Sequence, residues 1–377
     1  MSPPIRVSGI GIVRTDGAGA EETAGVASRL SAVLAALSRH GAQGRLVHPL
    51  EEAALLAAHD ALRLAGVRTP LGGEDIGVAL GLEEGIDGIK AQYYRDILKD
   101  GPLGASPIVF PLTTPNTIAA RISIALDLRG ENVTVCGGTL SGAHALGLAV
   151  EALRAGRSSA MLAGGATSVE REFLDALSLA GGPEGGSPGC GACLFVLRSP
   201  ASAGADGGAG RLLGYAQAVG RNDLREAVQA CLQDAELAPA QVGSVRVASA
   251  CQPRSLVESL RGAGVVAPVL RSPSAGLHSA SFPLAVAESL GRAADGPRGP
   301  ARVVGTDCLV GAAAAVVQGR GCWRFNRISI ICLPPTSRVS RTRSCRRRSC
   351  GPRAPPPFIA SGFPGAHRRR RSGRETI

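Results

Sequence analysis

From Ile5 to about residue 318, short apolar runs alternate with helical stretches, the pattern of a layered α/β protein. "IRVSGIGIV" (Ile5–Val13) reads as a first, buried strand, and Leu55, Ala58, Leu62 and Ala65 recur at helical spacing. Gly66 sits where a helix C-cap belongs. "IGVALGL" (Ile76–Leu82) is a second strand. "ISIALDLRG" (Ile122–Gly130) carries a helix into a turn, and "NVTV" then enters a strand. "SGAHALGLAVEALRAG" (Ser141–Gly156) is a long, almost wholly apolar helix, followed by the strand "SAMLAGG" (Ser159–Gly165). The second half reads as a looser echo. It runs through the strands "ACLFVLR" and "RLLGYAQAV", the helix "DLREAVQACLQDAEL", the strand "VGSVRVASA", a helix around "FPLAVAESLGRA" and the strand "ARVVGTD".

Aromatic residues make up only 3% of the chain, so the core must be packed tightly from small aliphatic side chains. The formal charge of +11 divides unevenly. Residues 321–377 hold 14 arginines and one acid, Glu375, or +13, which leaves −2 for the preceding 320 residues. The main body is therefore not a basic fold built to grip nucleic acid. After Gly321 the hydrophobic period is lost, and the stretch reads as a disordered Arg/Pro-rich tail. Three origins stay open: an out-of-frame translation of GC-rich DNA, a solvated tail, or an arm for nucleic acid or a membrane surface.

No basic start followed by an apolar run is present, and no stretch reaches the roughly 18 apolar residues of a membrane span. With scattered cysteines in apolar segments, the expectation is a cytoplasmic protein with buried thiols. Cys190 and Cys193 form a "CGAC" spacing without a second pair at zinc-ribbon distance, so no metal is expected. Glu184–Ala192 is glycine-rich but lacks a strand–GxGxxG–helix context and reads as a loop. His144 and Cys231 lie in apolar helices and are expected in the core.

One segment goes beyond class. "YYRDILKDGPLGASPIVFPLTTPNTIAARISIALDLRGENVTV" (Tyr93–Val135) resembles the β-ketoacyl synthase family, as do "RVSGIGIV", "EEAALLAAHDALRLAGV", "GEDIGVALG" and "ALRAGRSSAMLAGGATS" in the same order. The resemblance is strong to residue 170 and weaker to about 318. It implies a thiolase-like fold, with two pseudo-symmetric halves of mixed sheet layered between helices. The halves expected are 1–170 and a degenerate 171–320, with 321–377 as tail. It also implies a dimer, with the apolar stretch around Pro107–Ile124 at its interface, and substrates carried on the phosphopantetheine of an acyl carrier protein, with no cofactor bound by the chain itself.

The family's chemistry uses a cysteine at a helix start, two histidines and a glycine-rich oxyanion loop. Each is altered here. Counting back without gaps from Ala163–Gly165, the nucleophile position falls on Thr139, a hydroxyl whose expected job is to cap the helix. Cys136 stands three residues early and becomes a nucleophile only if Gly137 and Gly138 open the helix. The first histidine position falls on Ala248 or Ser249, and the second is out of register with His278, a displaced base or a packed residue. "TDCLVG" replaces the oxyanion loop.

The resemblance therefore implies a catalytically defective, chain-length-factor-like partner of an active ketosynthase that shapes the acyl tunnel. One alternative is an active acyltransferase or condensing enzyme using Cys136 with His278. The other is a nucleic-acid-binding protein acting through its tail.

Overall fold

The computed structural model describes residues 3–14, 33, 48–68, 75–82, 86–179, 189–199, 208–218, 223–248, 253–271, 278–291, 304–307, 311–319 and 329–332. The first half contains β1 (Ile5–Arg14), α1 (Pro49–Leu64), β2 (Ile76–Leu82), α2 (Asp87–Asp100), α3 (Asn116–Leu126), β3 (Asn132–Val135), α4 (Ser141–Arg154), β4 (Ala160–Val169), α5 (Arg171–Leu179) and β5 (Gly189–Arg198). The second contains β6 (Gly210–Ala218), α6 (Asp223–Asp234), β7 (Ser244–Val247), α7 (Pro253–Gly262), β8 (Val269–Arg271), α8 (His278–Gly291), β9 (Val304–Asp307) and β10 (Gly311–Gly319), followed by β11 (Ser329–Cys332).

The strands join one curled mixed sheet whose two halves repeat a single order. The first runs β1-β5-β4-β2-β3 and the second β6-β10-β9-β7-β8. In each half the first two pairings are antiparallel and the last two parallel. The opening strands β1 and β6 meet antiparallel, with Ile5 opposite Leu212, and join the halves. This is the two-halved architecture that the resemblance implies. The first half closes with β5, beyond the boundary expected at residue 170, because β5 inserts between β1 and β4.

The strands are covered on both faces, which explains their nearly continuous apolar runs. Along β5, Cys193, Phe195 and Leu197 face a central cluster, while Ala192, Leu194 and Val196 face an outer one. Along β10, Ala313, Ala315 and Val317 face the centre, and Ala312, Ala314 and Val316 face a third cluster under α6 and α7. α4 and α8 supply Leu146, Val150, Phe282 and Leu290 to the centre. A helix apolar on every side fits only such a middle layer. The outer layer over the first half is α1 and α3, through Leu55, Leu62, Ile118 and Ile122.

Helix ends follow the sequence. Gly66 takes a φ of 74° just beyond α1, where the C-cap was expected, and Gly156 takes 69° beyond α4. α1 is N-capped by His48, whose Nδ1 accepts from the Leu50 N–H at 3.1 Å. β11 departs from the expectation that nothing packs after Gly321. It pairs parallel with β7 and antiparallel with β10, because "SIIC" is a short apolar run able to complete a ladder. The Arg/Pro-rich tail beyond it lies outside the described residues. Among the described residues, no helix is long and apolar enough to cross a membrane.

Candidate functional site

The site is built where the two central helices begin. β3 ends at Val135, and Cys136–Leu140 turn the chain into α4. Gly138 takes a φ of 71°, a left-handed conformation that a residue with a side chain would adopt only under strain. Ser141, fully buried, clamps this turn. Its Oγ accepts from the Gly137 N–H at 2.8 Å and donates to the Gly138 carbonyl at 2.6 Å.

α8 begins against the same turn. A Cβ on Gly142 or on Gly165 would stand 2.1 Å from the Ser279 carbonyl oxygen, so only glycine allows the three backbones to touch. Ser279 Oγ donates to the Ala166 carbonyl at 2.7 Å, tying α8 to β4. The second half also reaches α4 through Tyr215 on β6, whose hydroxyl donates to the Ala143 carbonyl at 2.7 Å. Burial pushes that phenol well up, so it stays a neutral donor. At the far end of α4, Arg154 grips Asp234 of α6 with two bonds of 3.0 and 2.9 Å, and Asp234 also accepts from the Tyr215 N–H. The start of α4 is thus held from both halves.

Each residue singled out in the sequence has a place in this geometry. Thr139 is half-buried, directly ahead of α4. The N-cap position is Leu140 rather than Thr139, because the Ser141 clamp tightens the turn by one residue. Cys136 is an exposed, free thiol at the end of β3. Gly137 and Gly138 do not open the helix, which starts at Ser141, so Cys136 lies beyond the reach of the dipole at the helix's first turn. Partial desolvation pushes its thiol up, against a weaker opposing effect of Lys90. That is the reverse of what a thiolate nucleophile needs.

His278 is the first residue of α8, which brings its backbone beside the α4 start. Its side chain lies outside what the structure describes. Ala248 is fully buried in the central apolar cluster with Leu140 and Ala143, so a methyl group occupies one position considered for the family's first histidine. Ser249 and residues 308–310 of "TDCLVG" lie outside the described residues. Cys190 and Cys193 are buried free thiols in β5, and no metal-binding cluster occurs among the described residues. Cys231 is buried as expected, and burial pushes its thiol well up. His144 is half-buried rather than in the core, with Nδ1 3.2 Å from where a Gly137 Cβ would stand. Its i+3 position from Ser141 turns the ring toward the Cys136–Thr139 turn. Sequence reasoning missed Ser141, Ser279 and Tyr215; the small-residue spacing Ser141-Gly142 was the one visible signal of close backbone contact.

A second feature surrounds α2. This helix buries no residue, and with the segment after it displays Tyr94, Leu98, Leu103, Ile108 and Phe110. Leu98 is 85% exposed and Leu103 96%, while Ile124 on α3 adds a further apolar side chain at 71%. β3, beside this face, is the end strand of the sheet order and pairs with β2. Sheet edges and clustered exposed apolar side chains are features of association surfaces.

Comparison with known proteins matches residues 6–180 to the model of the β-ketoacyl synthase N-terminal domain. Nodulation protein E of Rhizobium leguminosarum bv. trifolii is 38% identical over 114 residues, which is 30% of this chain and 28% of that protein. The 3-oxoacyl-[acyl-carrier-protein] synthase 2 of Vibrio cholerae is 37% identical over 93 residues, 24% of this chain and 22% of that enzyme. The matched segments thus span less than a third of these relatives. Among solved structures, a type II polyketide ketosynthase in complex with its acyl-carrier protein superposes with a TM-score of 0.59 at 17% identity, over 77% of this chain and 86% of that one. The ishigamide ketosynthase/chain length factor superposes at 0.57 and 18%, over 76% and 87%. These structures share the fold.

Proposed function

We propose that this chain, whose residues 6–180 match the β-ketoacyl synthase N-terminal domain, is a ketosynthase-like subunit that has lost that family's condensing chemistry and serves as partner to an active ketosynthase. It shapes the tunnel for an acyl chain delivered on the phosphopantetheine of an acyl carrier protein, and it binds no cofactor of its own. The observation that carries this reading is Thr139 at the start of α4, where the family's thiol is expected. A threonine hydroxyl lacks the accessible ionisation that makes a cysteine thiolate reactive near neutral pH. The buried methyl of Ala248, in the central apolar cluster, supports the same reading, since a buried apolar group cannot polarise a malonyl carbonyl.

The partner role is supported by the apolar face of α2 and the edge of β3. A monomer leaves this face in water. Leu98→Glu should therefore weaken association with a ketosynthase by at least tenfold without lowering the unfolding midpoint, because Leu98 contributes nothing to the core of the chain itself. Sedimentation with a type II ketosynthase measures the effect, and unchanged association would remove this face from the interface.

The test of lost chemistry is intact-mass spectrometry after incubation with malonyl- and acyl-carrier protein, on the native chain and on Cys136→Ala. No covalent adduct, together with carrier-protein binding or co-purification with a ketosynthase, is the expected result. An acyl adduct that disappears in Cys136→Ala would overturn the reading and establish an acyltransferase acting through Cys136.

A further inference from the structure

Three helix starts converge on one carboxylate. Glu170 follows β4, and its carbonyl accepts the first helical N–H of α5, from Leu174 at 3.1 Å. One carboxylate oxygen, Oε2, accepts from the Gly88 N–H in the first turn of α2 at 2.5 Å. The other, Oε1, lies 2.5 Å from Nε2 of His48. The Nδ1 of His48 is already committed as acceptor to the Leu50 N–H, so Nε2 carries a proton toward the carboxylate. Glu170 thereby ties α1, α2 and α5 to the end of β4, with its negative charge where three helix dipoles present their positive ends.

α2 depends on this point more than its neighbours do. It buries no residue in the core, and one further ion pair to α5, Arg95–Glu172 at 3.9 Å, has both partners exposed and is worth little. The segment that displays Tyr94, Leu98, Leu103 and Phe110 is thus pinned at its start by Glu170.

We infer that Glu170 is the positioning residue that holds the α2 arm in the orientation needed to dock a second ketosynthase-fold subunit. The docking half of this inference rests on the function proposed above; the pinning of α2 stands on the contacts alone. The groups facing the carboxylate are His48 ahead of α1, Asp87 and Lys90 on α2, and Glu172 on α5, with Lys90 leaning toward Asp87 at 3.5 Å. Burial alone would push the Glu170 carboxyl up, but the His48 and Gly88 donors and the Lys90 charge together hold it below its usual value of 4.5. A carboxyl lowered on folding stabilises the fold above its unfolded value. That contribution is lost as pH falls through the folded value, below about 4.5.

Glu170→Gln tests this sharply because both neighbours donate. An amide can accept from one of them only by turning its own N–H toward the other. At pH 7, amide exchange over residues 86–100 should quicken at least tenfold in Glu170→Gln, while exchange in β4 and β5 stays as in the native chain. Association with a type II ketosynthase, followed by sedimentation, should weaken at least tenfold, and Glu172→Gln, the control on α5, should leave both readings unchanged. In the native chain, exchange over 86–100 corrected for the intrinsic rate should quicken below about pH 4.5 before the rest of the fold opens; in Glu170→Gln that pH dependence should be flat. If Glu170→Gln unfolds globally, the acid profile of the native chain decides alone. Unchanged exchange over 86–100 in a folded Glu170→Gln, or no arm-specific step in acid, overturns the inference. A native chain that never associates with that ketosynthase would refute the docking role, while the exchange result still judges the pinning of α2.

Discussion

Thr139→Cys should convert an inert helix start into a thiol alkylated at pH 7 at least tenfold faster than the native Cys136. The side chain at 139 is half-buried and stands directly ahead of α4, at the positive end of its dipole. A thiolate there gains from the helix dipole, and such cysteines ionise well below the ordinary value of about 8.5. Cys136 stands beyond that field, and desolvation pushes its thiol the other way. The new thiolate should also attack the thioester carbonyl of an acyl-carrier substrate. A thioester forms on residue 139 as the phosphopantetheine thiol leaves, and intact mass reads the added acyl group. Decarboxylative condensation should remain absent, because Ala248 offers no donor to the malonyl carbonyl. Thr139→Ser separates the effect of the thiol from that of any small substitution and should give no adduct. Labelling of Thr139→Cys no faster than of Cys136 would show that this turn does not hold residue 139 in the helix field.

Gly142→Val should destabilise the fold by about 3 kcal/mol or more, a large share of the total stability of about 5–15 kcal/mol typical of a domain. The Cβ alone would stand 2.1 Å from the Ser279 carbonyl oxygen, 2.9 Å from Pro283 Cγ and 3.1 Å from the Gly165 Cα. None of these is the free end of a flexible side chain. The contact joins the two central helices inside one close-packed cluster, so relief requires α4 and α8 to part. Both would then lose packing at Leu140, Ala143 and Ala280 together. The urea midpoint measures the loss, and a midpoint within about 0.5 kcal/mol of the native value would show that the two starts are not in backbone contact. Gly66→Ala is the contrasting case. Nothing lies within 4 Å of its Cβ, so the φ of 74° is the whole cost, of order 1 kcal/mol.

Much of the first half was legible because its signals are local. Ile76–Leu82 was read with its observed ends, and Gly66 and Gly156 mark helix ends by a conformation that glycine favours. α2 went unread as a helix for a physical reason: Ile89, Tyr93 and Ile97 are only half-buried while Tyr94 and Leu98 are exposed, so its apolar residues do not form one clean core-facing stripe. "GAAAAVVQG" was not assigned, since a short apolar run covered on both faces shows no alternation to separate strand from buried helix. α8 was visible despite Pro283 inside it, because the surrounding apolar run outweighs one missing donor.

By itself the sequence determined the layered class, the order of most elements, the family resemblance and the residue at each expected catalytic position. All of these follow from neighbours in the chain or from matching residues in order. Only the tertiary structure decided which residues meet. Ser279 touches Gly142, Tyr215 reaches Ala143, and Glu170 joins His48 to Gly88. These partners lie 72 or more residues apart. Nothing in local propensity or periodicity encodes such pairings; the first two arise because the halves pack their central helices start to start, and the Glu170 contacts because the first half folds the starts of α1 and α2 against the end of β4.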